Sequence, residues 1–386
     1  MTEALVTPQL IRWARERYSL TKDAAAQKID VKVDTLDAWE KGTAYPTLRQ
    51  AQKLAHRFHV PFGFLFLSSP PIEKLPLPDL RTVGGAQHKP PSPDFIDLLN
   101  DVLRKQQWFR EYQEYEGAEP IPFIGRFTLN DNAETIATDV RNVLNINEDM
   151  RQRAASWEDF LREFIRRTEQ SGVLVLRSGV VENNSHRKLS VEEFRGFDIS
   201  DNLAPLVFIN GNDAKAAQIF TLAHELAHLW IGESGISNPD YRQRSSQQSN
   251  HIERLCNYTA AEILLPKEEF LARWGENAKI ATNLQTLATE YRVSRLVVLR
   301  QAYECGKVTS SEYWEYYQKE IAQQKSKSKE GGGNFYATLL ARNSTTLTTS
   351  LISAMSEGRI SYRDTARLLN IKVKTLNGVV ERLSRR

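Results

Sequence analysis

Residues 220–230 read "FTLAHELAHLW", two histidines four positions apart with a glutamate after the first. On an α-helix, positions i and i+4 lie one above the other, so His224 and His228 share a face. Two imidazoles on one side of a tetrahedral ion is the arrangement a zinc helix needs. Glu225 can point into the same cleft and take a proton from water that the metal activates. The remaining side chains are apolar nearly all round: Phe220, Leu222, Ala223, Leu226, Ala227, Leu229 and Trp230. Such a helix is buried. Buried histidines and a glutamate need polar partners, and a metal supplies them. That favours a zinc helix over a surface helix with two incidental histidines.

Two ligands do not make a site, and a third is expected on a later helix. "HIERLCNYTAAEILLPKEEF", 251–270, has the required periodicity. Glu253 lies one turn before Asn257, so Glu253 can ligate while Asn257 holds a ligand histidine from behind. On spacing alone His251 and Glu262 compete with Glu253, and His251 can instead contact a developing oxyanion.

Upstream, "GVLVLRS" (172–178), "FRGFDIS" (194–200) and "APLVFING" (204–211) are strand-like runs bounded by Gly, Asn and Asp. "DFIDLLNDVLRKQQWFREYQEYEG" and "WEDFLREFIRRTEQ" carry helical spacings, which resume from about 214 to 322. The fold class is therefore α+β and mainly helical, with one small sheet. Seven of the fifteen prolines fall in 68–95, an extended connector, and "QQKSKSKEGGGNFY" is too poor in apolar residues for a core. The organisation expected is a helix-turn-helix unit at 1–67, a linker at 68–95 and a helical connector at 96–155. A domain carrying the zinc helix at 156–322, a tether at 323–333 and a helical, helix-turn-helix-like unit at 334–386 complete it.

"FTLAHELAHLWIG" followed by "IERLCNYTAAEILLP" resembles the ImmA/IrrE family of metallopeptidases. The resemblance extends to "APLVFINGND" and "YRVSRLVVLRQAYECGKVTSSEYWE" and covers most of 160–320. It implies that His224, His228 and Glu253 are zinc ligands and Glu225 the general base. Cys256 stands where the family usually has alanine; a small apolar thiol reads as packing rather than as a ligand. Zinc peptidases of this plan commonly hold substrate along an edge strand, and "APLVFING" directly precedes the helix.

"SLTKDAAAQKIDVKVDTLDAWEKGTAYPTLRQAQKLAHRFHV", 19–60, has helix-turn-helix spacing. Thr21 is the expected N-cap, Ala25 and Ala26 allow close packing, and Val31 fills the turn. Thr35, Leu36 and Trp39 belong to the second helix. The stretch resembles an XRE/Cro-like repressor domain over 7–66. Phosphate contacts are expected from Lys22, Lys32 and Lys41. Asp34 and Asp37 stand where that helix would approach a major groove, and a carboxylate there repels phosphates. "IDVKVDTLD" (29–37) is echoed by "LNIKVKTLN" (369–377) at a constant offset of 340, with Lys374 in place of Asp34.

The chain has 386 residues and a net charge of only +3, so nucleic-acid binding must come from a local patch. Its two cysteines, Cys256 and Cys305, form no CxxC pair. No stretch approaches a membrane span and the first residues lack a secretory pattern. A cytoplasmic protein without membrane contact is expected. The resemblance implies a zinc endopeptidase acting on a protein partner: a repressor, or an antitoxin or toxin, in a stress, prophage or toxin–antitoxin circuit. The alternative is a DNA-binding repressor or antitoxin in which the peptidase fold senses or binds. Hydrolysis of a nucleic acid or small amide ranks third. DNA through 19–60 and a homodimer on paired half-sites fit either of the first two readings.

Overall fold

The computed structural model describes residues 3–71, 77, 91–237, 248–324 and 334–383. Most of the proline-rich linker and residues 325–333 of the expected tether lie outside the described residues. The described residues divide into two units: those through 71 with 91–97, and residue 77 with those from 98 onward.

In the first unit, Pro8 opens α1 (Pro8–Glu16), where its missing N–H costs nothing. Thr21 caps α2 (Lys22–Ile29) as expected, its Oγ1 accepting from the Ala24 N–H. Asp30 turns the chain in the left-handed region into α3 (Val33–Lys41). A reciprocal Thr47–Gln50 capping box starts α4 (Leu48–Arg57). Ala25, Ala26, Leu36 and Trp39 are buried, and Val31 packs against the same core. One buried ion pair ties α1 to α3: Arg15 Nε lies 2.7 Å from Glu40 Oε1.

The second unit is built from α5 (Pro93–Tyr115) from residue 98 onward, α6 (Ala133–Leu144), α7 (Glu148–Arg153) and α8 (Trp157–Gln170), followed by strands and further helices. β1 (Leu174–Ser178), β2 (Gly196–Ile199), β3 (Leu206–Asn210) and β4 (Gly235–Ser237) form one sheet in the order β1-β3-β2-β4. β1 and β3 are parallel, while β2 runs antiparallel to β3 and β4. The three expected strands are present. The fourth has three residues, too few to show a period.

α9 (Lys215–Ile231) lies across β2 and β3 and packs on α6, α8 and α10 (Gln248–Leu264). Residues 218–231 of α9 are all buried, in keeping with its apolar flanks. α11 (Lys267–Arg273), α12 (Ile280–Glu290), α13 (Arg295–Glu304) and α14 (Ser310–Gln324) complete this helical part. α15 (Phe335–Asn343) packs on β1, followed by α16 (Thr345–Ser356), α17 (Tyr362–Leu368) and α18 (Leu376–Leu383). These last helices are fastened by Asn370 Nδ2 donating to Asp101 Oδ2 (2.8 Å) and by Arg359 to Glu116 (2.6 Å). Asp101 also neutralises the buried Lys105, at 2.7 Å. The architecture is α+β and mainly helical.

Candidate metal centre

His224 and His228 project from one face of α9, and α10 crosses α9 so that Glu253 meets them. His224 Nε2 and His228 Nε2 are 3.1 Å apart. Glu253 Oε2 lies 3.4 Å from His224 Nε2, and Oε1 3.3 Å from His228 Nε2. A tetrahedral ion with ligands at about 2.0–2.1 Å has ligand–ligand edges of about 3.3–3.4 Å. With a different Glu253 oxygen facing each ring, the three side chains present donor atoms close enough to share one zinc-sized ion.

The donor set agrees with that fit. Both rings are fully buried, and neither Nδ1 has a hydrogen-bond partner among the described residues. Burial acts to raise the Glu253 carboxyl, but the two imidazoles overcome it and hold it at about 2. An ionised carboxylate facing two Nε2 atoms is a ready cation site.

Glu225 is set by what lies opposite it. A Cβ at Gly196 of β2 would come 2.6 Å from Glu225 Oε1 and 2.5 Å from Thr221 Cγ2. Only glycine leaves that space. Two positions along β2, on the same face, Asp198 is fully buried. Its Oδ1 accepts from the Gly235 N–H at 3.1 Å, which anchors β4. Burial and then the nearby Glu225 charge push the Asp198 carboxyl well above its usual range. The sequence reading missed both residues. The alternation in "GFDIS" is the signal that places Gly196 and Asp198 on one strand face.

The C-terminal end of α9 is clamped. Gly125 and Phe127 N–H groups donate to the Leu229 and Trp230 carbonyls at 2.9 and 3.0 Å. The Trp230 ring stacks on Phe123 with centroids 4.2 Å apart, and its Nε1 donates to Asp139. Gly232 ends the helix at φ 74°, with a backbone approach to Gly125 that leaves no room for a Cβ.

The other sequence candidates fall elsewhere. His251 is exposed. Glu262 accepts from the Lys267 N–H and from Gln301 Nε2. Among the described residues no hydrogen bond joins Asn257 to either ring, and its Oδ1 is buried without a partner. Cys256 sits in the apolar core, and burial, then the Glu253 charge, pushes its thiol up, which disfavours the thiolate a ligand requires. β3, the strand directly before α9, is internal to the sheet; among the described residues β4 is the edge next to β2. In the first unit, Lys22 and Lys41 both pair with Asp37, Lys41 at 2.6 Å. Lys32 is exposed at the start of α3.

Residues 168–303 match the family described as IrrE N-terminal-like domain, and residues 11–65 match the family described as helix-turn-helix. The chain joins a helix-turn-helix domain to an IrrE-like peptidase domain. The peptidase match supports an enzyme of the metallopeptidase type, and His224, His228 and Glu253 form a cluster that could hold a metal. The pair of domains suggests a protease- or repressor-type regulator, with DNA and protein as the partner classes. Residues 343–382 match a family described only as a domain of unknown function. No curated protein matches the chain. Among the described residues no helix is long and apolar enough to cross a membrane.

Proposed function

We propose that this chain is a zinc-dependent endopeptidase that cleaves a protein partner, a transcriptional regulator in a stress, prophage or toxin–antitoxin circuit. The observation that carries the proposal is the convergence of His224, His228 and Glu253 at 3.1–3.4 Å, with Glu225 on the same helix. His224, His228 and Glu253 hold the ion. Zinc, when bound, supplies Lewis acidity toward a carbonyl and toward water.

The chain's own residues supply the rest. The Glu225 carboxylate takes a proton from the attacking water as the new C–O bond forms. It returns that proton to the amine nitrogen as the C–N bond breaks. Gly196 keeps the Glu225 carboxylate in place, and the clamp on Trp230 holds the helix that carries it. The β4 edge offers main-chain pairing to an extended substrate, which would align the scissile bond.

The test is co-expression of wild type and Glu225→Gln with neighbouring genes, followed by mass spectrometry of new protein termini. The proposal expects at least one terminus that depends on Glu225, and about one equivalent of zinc in both proteins. Absence of any such terminus overturns it. Retained biological function in Glu225→Gln would turn the reading toward a repressor whose peptidase fold senses or binds.

A further inference from the structure

The offset of 340 seen in the sequence is also present in the backbone. Thr21 Oγ1 accepts from the Ala24 N–H at 3.2 Å, and Ser361 Oγ accepts from the Asp364 N–H at 3.0 Å. Asp30 and Asn370 both sit in the left-handed region, at φ 59° and 54°. The Val31 N–H donates to Ala26 O at 3.0 Å, and the Ile371 N–H to Ala366 O at 2.9 Å. Lys32 precedes α3, and Lys372 precedes a 3-10 turn (Val373–Thr375) that leads into α18, each with φ near −75° and extended ψ. The buried positions coincide as well: Ala25 with Thr365, Ala26 with Ala366, Ile29 with Leu369, Leu36 with Leu376 and Trp39 with Val379. Residues 361–381 are thus a second helix-turn-helix in backbone and core.

Its surface differs from the first copy in charge. Residues 21–41 carry four basic and five acidic side chains, whereas 361–381 carry four basic and two acidic. Asp23 is replaced by Arg363, Gln27 by Arg367, Asp34 by Lys374 and Asp37 by Asn377. In the first copy Asp37 ties up Lys22 and Lys41. Among the described residues neither Lys372 nor Lys374 takes part in an ion pair, and both are exposed along with Arg363 and Asn377. The C-terminal half of α18 leans on α15, with Arg382 over the Tyr336 ring at 5.2 Å. Tyr336 also lies against Gly378 in the N-terminal half, whereas Asn377 and, just before α18, Lys372 and Lys374 are exposed.

We propose that Arg363, Lys372, Lys374 and Asn377 form a double-stranded DNA-binding surface, distinct from the one expected in the first unit. Arg363 and Arg367 on α17 take phosphates while the start of the second helix enters the major groove. Lys372 and Lys374 contact phosphates where that helix enters, and Asn377 stands where base edges are read; an asparagine there can pair bidentately with adenine. The proposal stands whether or not the metal centre cleaves proteins.

The test uses the full chain and a fluorescein-labelled duplex of mixed sequence, titrated by anisotropy over a series of salt concentrations. Lys372→Glu with Lys374→Glu is expected to weaken binding about tenfold or more at low salt and to flatten the log–log salt slope by about 2. Lys32→Glu is expected to change the slope by about 1 or less. Both C-terminal lysines are exposed, and circular dichroism checks the fold of the variant. In a second measurement on wild type, the duplex is expected to protect Lys372 and Lys374 from acetylation, read by mass spectrometry. Wild type that does not bind the duplex, an unchanged slope in the double variant, or unprotected lysines would overturn the proposal.

Discussion

Glu253 and Asp37 are each flanked by two basic side chains, and each carboxyl is held at about 2. Their surroundings are opposite. Glu253 is 3% exposed between two buried imidazoles. Asp37 lies at the surface, held down by hydrogen bonds from Lys22 and then Lys41. The same shift therefore means different things. Around Asp37, water and salt screen the pairs, and the three side chains lose little if separated. Around Glu253 no solvent replaces a lost partner, so the charge must be matched by protons or by a metal ion. A buried cluster defines a site by geometry, whereas a surface cluster defines only a charge balance that a single substitution resets.

The comparison can be tested from its strongest effect downward. In the buried region, Glu225→Gln should lower peptide cleavage about a thousandfold or more while zinc content, read by elemental analysis, stays the same. Zinc loss in that variant would mean that Glu225 holds metal rather than a proton. The buried ion pair of the first unit belongs with Glu253, not with Asp37. Glu40→Ala leaves Arg15 without its buried partner and should destabilise α1 and α3 by about 3–5 kcal/mol, read by hydrogen exchange of their amides. Little change there would put Glu40 in the screened class. Gly196→Ala should displace Glu225 and cut kcat about a hundredfold with zinc retained. Undiminished kcat would show that β2 does not set the position of Glu225.

At the surface the effects are smaller. Asp37→Asn frees Lys22 and Lys41, so duplex DNA should bind several-fold tighter, with a salt slope steeper by up to about 2. A weaker or unchanged interaction would show that these lysines do not face DNA. The Asp37 carboxyl should titrate near 2 by NMR rather than near its ordinary value of about 3.9. Its stabilising contribution is present above that ordinary value and is lost as pH falls through about 2. High salt should move this midpoint upward, because the pairs are exposed.

Local pattern was enough for much of this molecule. The candidate metal helix was legible because HExxH spacing and an apolar surround both act within one helix. The first helix-turn-helix was legible because its cap, its small packing residues and its turn are set by neighbours in sequence. β4 was not, since three residues carry no period and pair only because β2 is already in place. Asp198 and Gly196 were passed over because their meaning depends on which side of β2 faces α9. The pairing of Lys22 with Asp37 was not legible, because it depends on how α2 and α3 pack and not on spacing within either helix.

By itself the sequence determined the residue types and spacings that can bind a metal, the small sheet among many helices, and the repeated turn at an offset of 340. The tertiary structure decided that Glu253, rather than His251 or Glu262, converges with the two histidines. It also decided which lysines remain open to a polyanion. Both outcomes depend on distances between elements far apart in the chain, which helix crossing and strand pairing set and local spacing does not.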